Sequence, residues 1–110
     1  IESNEKAYEA VLREAREEAG VEVQSLYSAD LFDQVYVIDS NSIWVASFLV
    51  GFVDPESRVT RSEEHDDHRW CKIDEALDLL TFPTSRRILR NICEDFVRNE
   101  PVEHLKIEIT

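Results

Sequence analysis

Tyr8, Val11, Leu12, Ala15 and Ala19 recur at the three- and four-residue steps of a helix, and most positions between them are charged. This pattern predicts an amphipathic helix with an apolar stripe that packs on a sheet. The helix should stop at Gly20, which can take a left-handed conformation, with Val21 tucked back against the last turn. Beyond Gly20 the period changes to two. Val21 to Tyr27 predicts a strand with an irregular middle, and Leu31 to Ile38 predicts a second extended run closed by the turn formers Asp39, Ser40, Asn41 and Ser42. Ile43 to Val53 is the most apolar stretch, so it is expected as the return strand of a hairpin, central in the sheet and ended by Asp54-Pro55. Residues 56–68 are too charged for a core and predict a surface loop. Trp70 to Ile73 reads as a short strand, and Asp74 as the N-cap of a helix to Leu80 that turns Ala76, Leu77 and Leu80 inward. After Phe82-Pro83, Thr84 or Ser85 is expected to cap a longer helix with Ile88, Ile92 and Phe96, flanked by Leu89 and Cys93, on its inner stripe. Leu105, Ile107 and Ile109 alternate as an edge strand would. One helix, several strands and then helices, without regular alternation, predict an α+β fold over a single domain, residues 1–110.

Composition adds a constraint on partners. Twenty-four acids against twelve bases give a net charge of −12, which disfavours nonspecific binding to nucleic acid or to an anionic membrane surface. No apolar run is long enough for a membrane helix or a signal peptide, so a soluble domain is expected. Cys71 and Cys93 follow no ligand or disulfide spacing and read as free thiols of a reducing compartment, with the cytoplasm as the default location.

The charged side of the first helix carries the chemistry. Glu14, Glu17 and Glu18 stand at i, i+3 and i+4, where like charges repel, and near a helix C-terminus, where the macrodipole disfavours them. A hard divalent cation would offset both costs, since Mg²⁺ takes oxygen ligands and commonly uses one or two carboxylates with waters and substrate phosphates. The competing reading is a solvated acidic face partly neutralised by Arg13 and Arg16. Arg13 lies beside Glu14 and eight residues, about two helical turns, beyond Glu5, so one guanidinium can brace both carboxylates.

Taken whole, this segment resembles the Nudix box, Gly-x5-Glu-x7-Arg-Glu-U-x-Glu-Glu-x-Gly-U, with U a bulky aliphatic residue. Glu5, Arg13, Glu14, Glu17, Glu18, Gly20 and Val21 match in register, seven of the nine defined positions. Ala15 is smaller than the usual aliphatic, and the leading Gly would fall two residues before Ile1. The resemblance implies an α/β/α sandwich around a mixed sheet, with N-terminal strands expected upstream of Ile1. It also implies a pyrophosphohydrolase dependent on Mg²⁺, with Mn²⁺ as a substitute, that cleaves a diphosphate linkage in a small nucleotide-type substrate. A homodimer is compatible with it. Glu14, Glu17 and Glu18 would hold the metal, with Arg13 and Glu5 bracing them and Gly20 closing the helix.

The segment Glu64-His65-x-x-His68-Arg69-Trp70 resembles a later Nudix element whose loop glutamate supplies an extra ligand or the base, and Glu64 occupies that position. Nudix hydrolases take the base from either the box helix or this later loop; because Arg13 stands beside Glu14 and Glu17 one turn on, the base is expected at Glu14, with Glu64 on its polar loop as an auxiliary ligand. His65 and His68 lack a third partner for a zinc site. Tyr27, Phe32, Tyr36 and Trp44 could stack a nucleobase but are expected in the core, and Arg86 and Arg87 read as surface charges. The same segment leans toward nucleoside triphosphates or dinucleoside polyphosphates such as diadenosine tetraphosphate. Two other functions fit parts of the pattern: a Nudix-fold nucleotide-binding or regulatory module without turnover, and an acidic interaction domain.

Overall fold

The structure, a computed structural model, describes residues 4–56 and 70–109. The chain divides into two compact units, one formed by Ile1–Leu26, Gly51–Lys72 and Ile107–Thr110, the other by Tyr27–Val50 and Ile73–Lys106.

In the first unit, α1 spans Ala7–Glu14 and passes directly into a π-helical turn over Ala15–Ala19. Glu9 accepts a hydrogen bond from the Lys6 backbone N–H at 2.9 Å, which satisfies a donor left open at the helix start. Gly20 ends the π turn with φ 70° and ψ 24°, and its N–H donates to the Arg16 carbonyl at 3.1 Å, as the sequence predicts for that glycine. A left-handed residue with a Cβ costs about 1–2 kcal/mol. Gly20→Ala should therefore lower stability by about that amount in urea unfolding of the full chain, with Gly20→Asn losing less. Of the predicted inner stripe, Tyr8, Leu12, Ala15 and Ala19 are half-buried, while Val11 is 38% exposed and Ala10, not predicted, is the buried residue of α1. Leu26 is fully buried, and Gly51 lets its own strand approach Leu26 and Val23, because a Cβ there would sit 3.2 Å from a Val23 methyl.

The sheet has three strands in the order β2-β1-β3, where β1 is Val23–Val37, β2 is Ser42–Val53 and β3 is Lys106–Ile107. The two extended runs predicted before the hairpin form one strand. Asp30 breaks the pattern within it, with φ 59° and its N–H donating to the Ser28 hydroxyl at 3.1 Å; Asp tolerates this left-handed conformation better than most residues. The hairpin turn forms where expected, and β3 pairs with β1 as the alternating tail predicts. The position expected for β2 is corrected: β1 is central, and β2 pairs with β1 alone among the described residues. Ile43, Trp44 and Val45 are 61, 66 and 63% exposed, so the first half of β2 leaves both of its faces open, while Phe48, Leu49, Val50, Phe52 and Val53 in its second half are half-buried. Apolar composition marks a strand that can be covered; the position in the sheet depends on its pairing.

The second unit is built around Tyr27, Ala29, Ile88 and Phe96, with the Tyr27 and Phe96 rings edge to face at 5.8 Å. Helix α2 spans Ile73–Leu79, so Trp70 to Lys72 is not a strand and Asp74 lies inside the first turn rather than at the cap. Ala76, Leu77 and Leu80 are half-buried as expected. Helix α3 spans Pro83–Ile92 and continues as a π turn over Cys93–Arg98. Its cap is Phe82, extended at ψ 136°, in place of Thr84 or Ser85. Proline at the first helical position needs no N–H partner and holds the residue before it extended. The predicted stripe of Ile88, Leu89, Ile92, Cys93 and Phe96 is buried or half-buried. Cys71 and Cys93 are free thiols. Arg87 is exposed and bonds Thr84, whereas Arg86 is half-buried and its Nε is buried without a hydrogen-bond partner, a correction to its reading as a surface charge. No described helix is long and apolar enough to cross a membrane.

Candidate active site

Arg13 is the hub of the acidic face. Its Nε donates to Glu5 Oε2 at 2.9 Å and its Nη2 to Glu5 Oε1 at 3.2 Å, a two-point grip on one carboxylate. Its Nη1 donates to Glu17 Oε2 at 3.1 Å, and Glu14 Oε1 stands 4.0 Å from Nη2. The bracing of Glu5 is as the sequence predicts. The second hydrogen-bonded acid is Glu17, one turn on, and the expected brace on Glu14 is a longer ion pair. The Glu5 bonds, and to a lesser degree those of Glu17, raise the Arg13 pKa well above its ordinary value against a smaller opposing effect of burial, so the guanidinium stays charged throughout the stable pH range of a protein.

The i,i+4 spacing of Arg13 and Glu17 makes them neighbours on the helix surface, whereas Glu14, next to Arg13 in sequence, does not face it. A turn closed by i to i+5 hydrogen bonds is wider than an α-helical one and brings residues four apart more nearly into line. Arg13 and Glu17 form such a pair, and Glu14 and Glu18 stand at the same spacing. The side chains grade outward: Glu5 is 16% exposed, Arg13 30%, Glu14 51% and Glu17 61%. A half-buried brace thus supports carboxylates that meet solvent. On the neighbouring surface, Arg16 pairs with Glu22 at 3.0 Å, and a shallow cavity of about 350 Å³ is flanked by Glu5, Tyr8, Leu12, Arg13, Arg16 and Ile109.

Among the described residues, no three His, Cys, Asp or Glu side chains converge as a metal-ligating group. Glu14, Glu17 and Glu18 offer only oxygen donors, the type that a hard divalent cation takes, and Mg²⁺ commonly needs just one or two protein carboxylates. The donor chemistry fits such an ion, in an open arrangement completed by water and substrate oxygens. Glu64, His65 and His68 lie outside the described residues.

A second candidate feature lies in the other unit. Phe32, Tyr36 and Trp44, expected in the core, are 64, 57 and 66% exposed; only Tyr27 of the four aromatics is buried. Tyr36 and Phe82 line a cavity of about 450 Å³ together with Asp33, Gln34, Thr84 and Ser85. Two exposed rings beside hydroxyl and amide groups offer both a stacking surface and hydrogen-bond partners. Phe82 was not singled out in the sequence, although its place before Pro83 was a signal that its backbone, and hence the base of its side chain, is fixed.

The NUDIX domain model matches residues 1–92. Among curated proteins, the chain is 29% identical over 92 residues to the asymmetrical bis(5'-nucleosyl)-tetraphosphatase of Rattus norvegicus, covering 82% of this chain and 63% of that protein. It is 30% identical over the same shares to the protein of that name from Sus scrofa, and 29% identical to that of Mus musculus. The chain therefore spans 63% of the length of these curated relatives.

Proposed function

Because the chain belongs to the Nudix family, we propose that it is a divalent-metal-dependent pyrophosphohydrolase that cleaves a diphosphate linkage in a dinucleoside polyphosphate or a nucleoside triphosphate. The observation that carries this reading is the Arg13 hub, which fixes Glu5 by two bonds and Glu17 by one while Glu14 stays more than half exposed beside it. A fully solvated acidic face needs no such half-buried, two-point brace.

Glu14, Glu17 and Glu18 would hold Mg²⁺, or Mn²⁺ in its place, with Glu64 as an auxiliary ligand. When bound, the cation offsets phosphate charge and makes water at the site more acidic. Glu14 accepts the proton of the attacking water as the new phosphorus–oxygen bond forms, and the bridging phosphorus–oxygen bond breaks toward the leaving phosphate. Arg13 keeps the acids in register and Gly20 fixes where the helix ends. In the other unit, and taken by itself, the cavity lined by Tyr36 and Phe82 offers a surface on which a nucleobase can stack, with Gln34, Thr84 and Ser85 able to bond its edge. The likeness to asymmetrical bis(5'-nucleosyl)-tetraphosphatases favours dinucleoside tetraphosphates among these substrates.

Incubating the full chain with Mg²⁺ and a panel of diadenosine tetraphosphate, nucleoside triphosphates and ADP-ribose should release a nucleotide, phosphate or pyrophosphate from at least one member. Thermal stabilisation by a nucleotide with no product from any of them would instead identify a binding or regulatory module.

A further inference from the structure

The two aromatic walls of the 450 Å³ cavity are held in place by different means. Phe82 belongs to the backbone that Pro83 fixes, extended at ψ 136°. Tyr36 lies near the end of β1 and is 57% exposed, so packing alone leaves its ring free to change rotamer. Its hydroxyl, however, donates to Asn41 Oδ1 at 2.7 Å. Asn41 does not line the cavity. It sits in the hairpin turn with φ 49°, its own N–H donating to the Ile38 carbonyl at 3.1 Å, and beside it the Ser42 hydroxyl donates to the Ser40 carbonyl at 3.1 Å. The acceptor is thus mounted on a turn whose backbone is itself tied down, and asparagine is among the few residues that take this left-handed conformation readily.

We propose that Asn41 is a positioning residue for base recognition: it holds the Tyr36 ring across from Phe82 so that the cavity is formed before a nucleobase arrives. This rests on the reading of that cavity as a base site. Ordering a side chain in advance removes a cost otherwise charged to binding, typically about 0.5–1.5 kcal/mol for one residue, which corresponds to roughly 2- to 12-fold in affinity. Asn41 touches no part of the base, so its whole effect passes through the Tyr36 hydroxyl. Tyr36 and Asn41 should then be coupled, and losing either end of the hydrogen bond should equal losing both.

The test is an NMR titration of the full chain with adenosine, an uncharged probe chosen so that the charge added by Asn41→Asp meets no phosphate. Tyr36→Phe keeps the ring and removes the donor. Asn41→Gly keeps access to the left-handed backbone and removes the acceptor, and Asn41→Asp keeps both. The expected result is a three- to tenfold weaker Kd, roughly, for Tyr36→Phe and for Asn41→Gly, no further loss in the double variant, and near-normal affinity for Asn41→Asp. Unchanged affinity in the two single variants, or losses that multiply in the double variant, would overturn the proposal, including the case where only the unfolding midpoint moves. Tyr36→Ala separates the two levels. If it binds adenosine as well as the wild type, the base-site reading fails and the positioning role with it; if it binds weakly while Tyr36→Phe binds normally, only the positioning role fails.

Discussion

Changing Glu14 to Gln is expected to lower kcat by roughly 10²–10⁴, the range a general base contributes, with little change in folding stability. The amide keeps the shape of the carboxylate but can neither take a proton nor match its charge toward a cation. Stability should hold because Glu14 is 51% exposed and its pairing with Arg13 is long, at 4.0 Å, while the bonds of Arg13 to Glu5 and Glu17 do not depend on it. Steady-state kinetics and urea unfolding of the same variant check both halves. Near-normal turnover in Glu14→Gln together with loss of activity in Glu64→Gln would move the base to the loop.

Arg13→Lys should be nearly as damaging as Arg13→Ala, each reducing kcat by roughly 10- to 100-fold, as removal of groups that orient metal ligands commonly does. The reason lies in the fork of the guanidinium. Nε and Nη2 meet the two oxygens of Glu5 while Nη1 reaches Glu17, and a single ammonium cannot span those three contacts. Without the fork, Glu5 loses both guanidinium bonds and Glu17 is released to rotate, so the acidic face loses its fixed spacing. Both variants should also unfold at lower temperature, because Glu5 is mostly buried. An Arg13→Lys variant with wild-type kcat would show that charge alone suffices and that the forked geometry does not matter.

The acidic helix was the most legible part of the chain because its signals are local. The spacing from Glu5 to Val21 resembles a defined box, and the family match over residues 1–92 agrees with it. Gly20 adopts the left-handed conformation that its place after the helix required. The i, i+8 reach from Glu5 to Arg13 held as well. Arg13 with Glu17 at i, i+4 was equally visible in the sequence, but reading Glu17 as a ligand obscured its second role. The π turn after Glu14 was not legible: its wider hydrogen bonding is a backbone response to surroundings, and the 3.6-residue period continues through it unmarked.

In the sheet, features decided over long range were misread. Val21 to Tyr27 and Leu31 to Ile38 were read as two extended runs, whereas Asp30 takes up the irregularity between them in one left-handed residue and β1 runs on. Burial of Phe32, Tyr36 and Trp44 depends on what other elements cover them, and no local pattern carries that information. Phe82 was within reach, since the restriction a proline places on its predecessor applies whatever the tertiary structure.

The central claim is that the acids braced by Arg13 act through a divalent cation on a phosphoric anhydride. The most direct measurement is the rate of product release from diadenosine tetraphosphate by the full chain, with Mg²⁺, after complete chelation, and after Mg²⁺ is restored. Turnover should disappear on chelation and return with Mg²⁺, and Mg²⁺ should not restore it in the Glu14→Gln variant. Turnover that persists at full rate after chelation, or that survives Mg²⁺-dependent and undiminished when Glu14, Glu17 and Glu18 are all changed to Gln, would contradict the central claim.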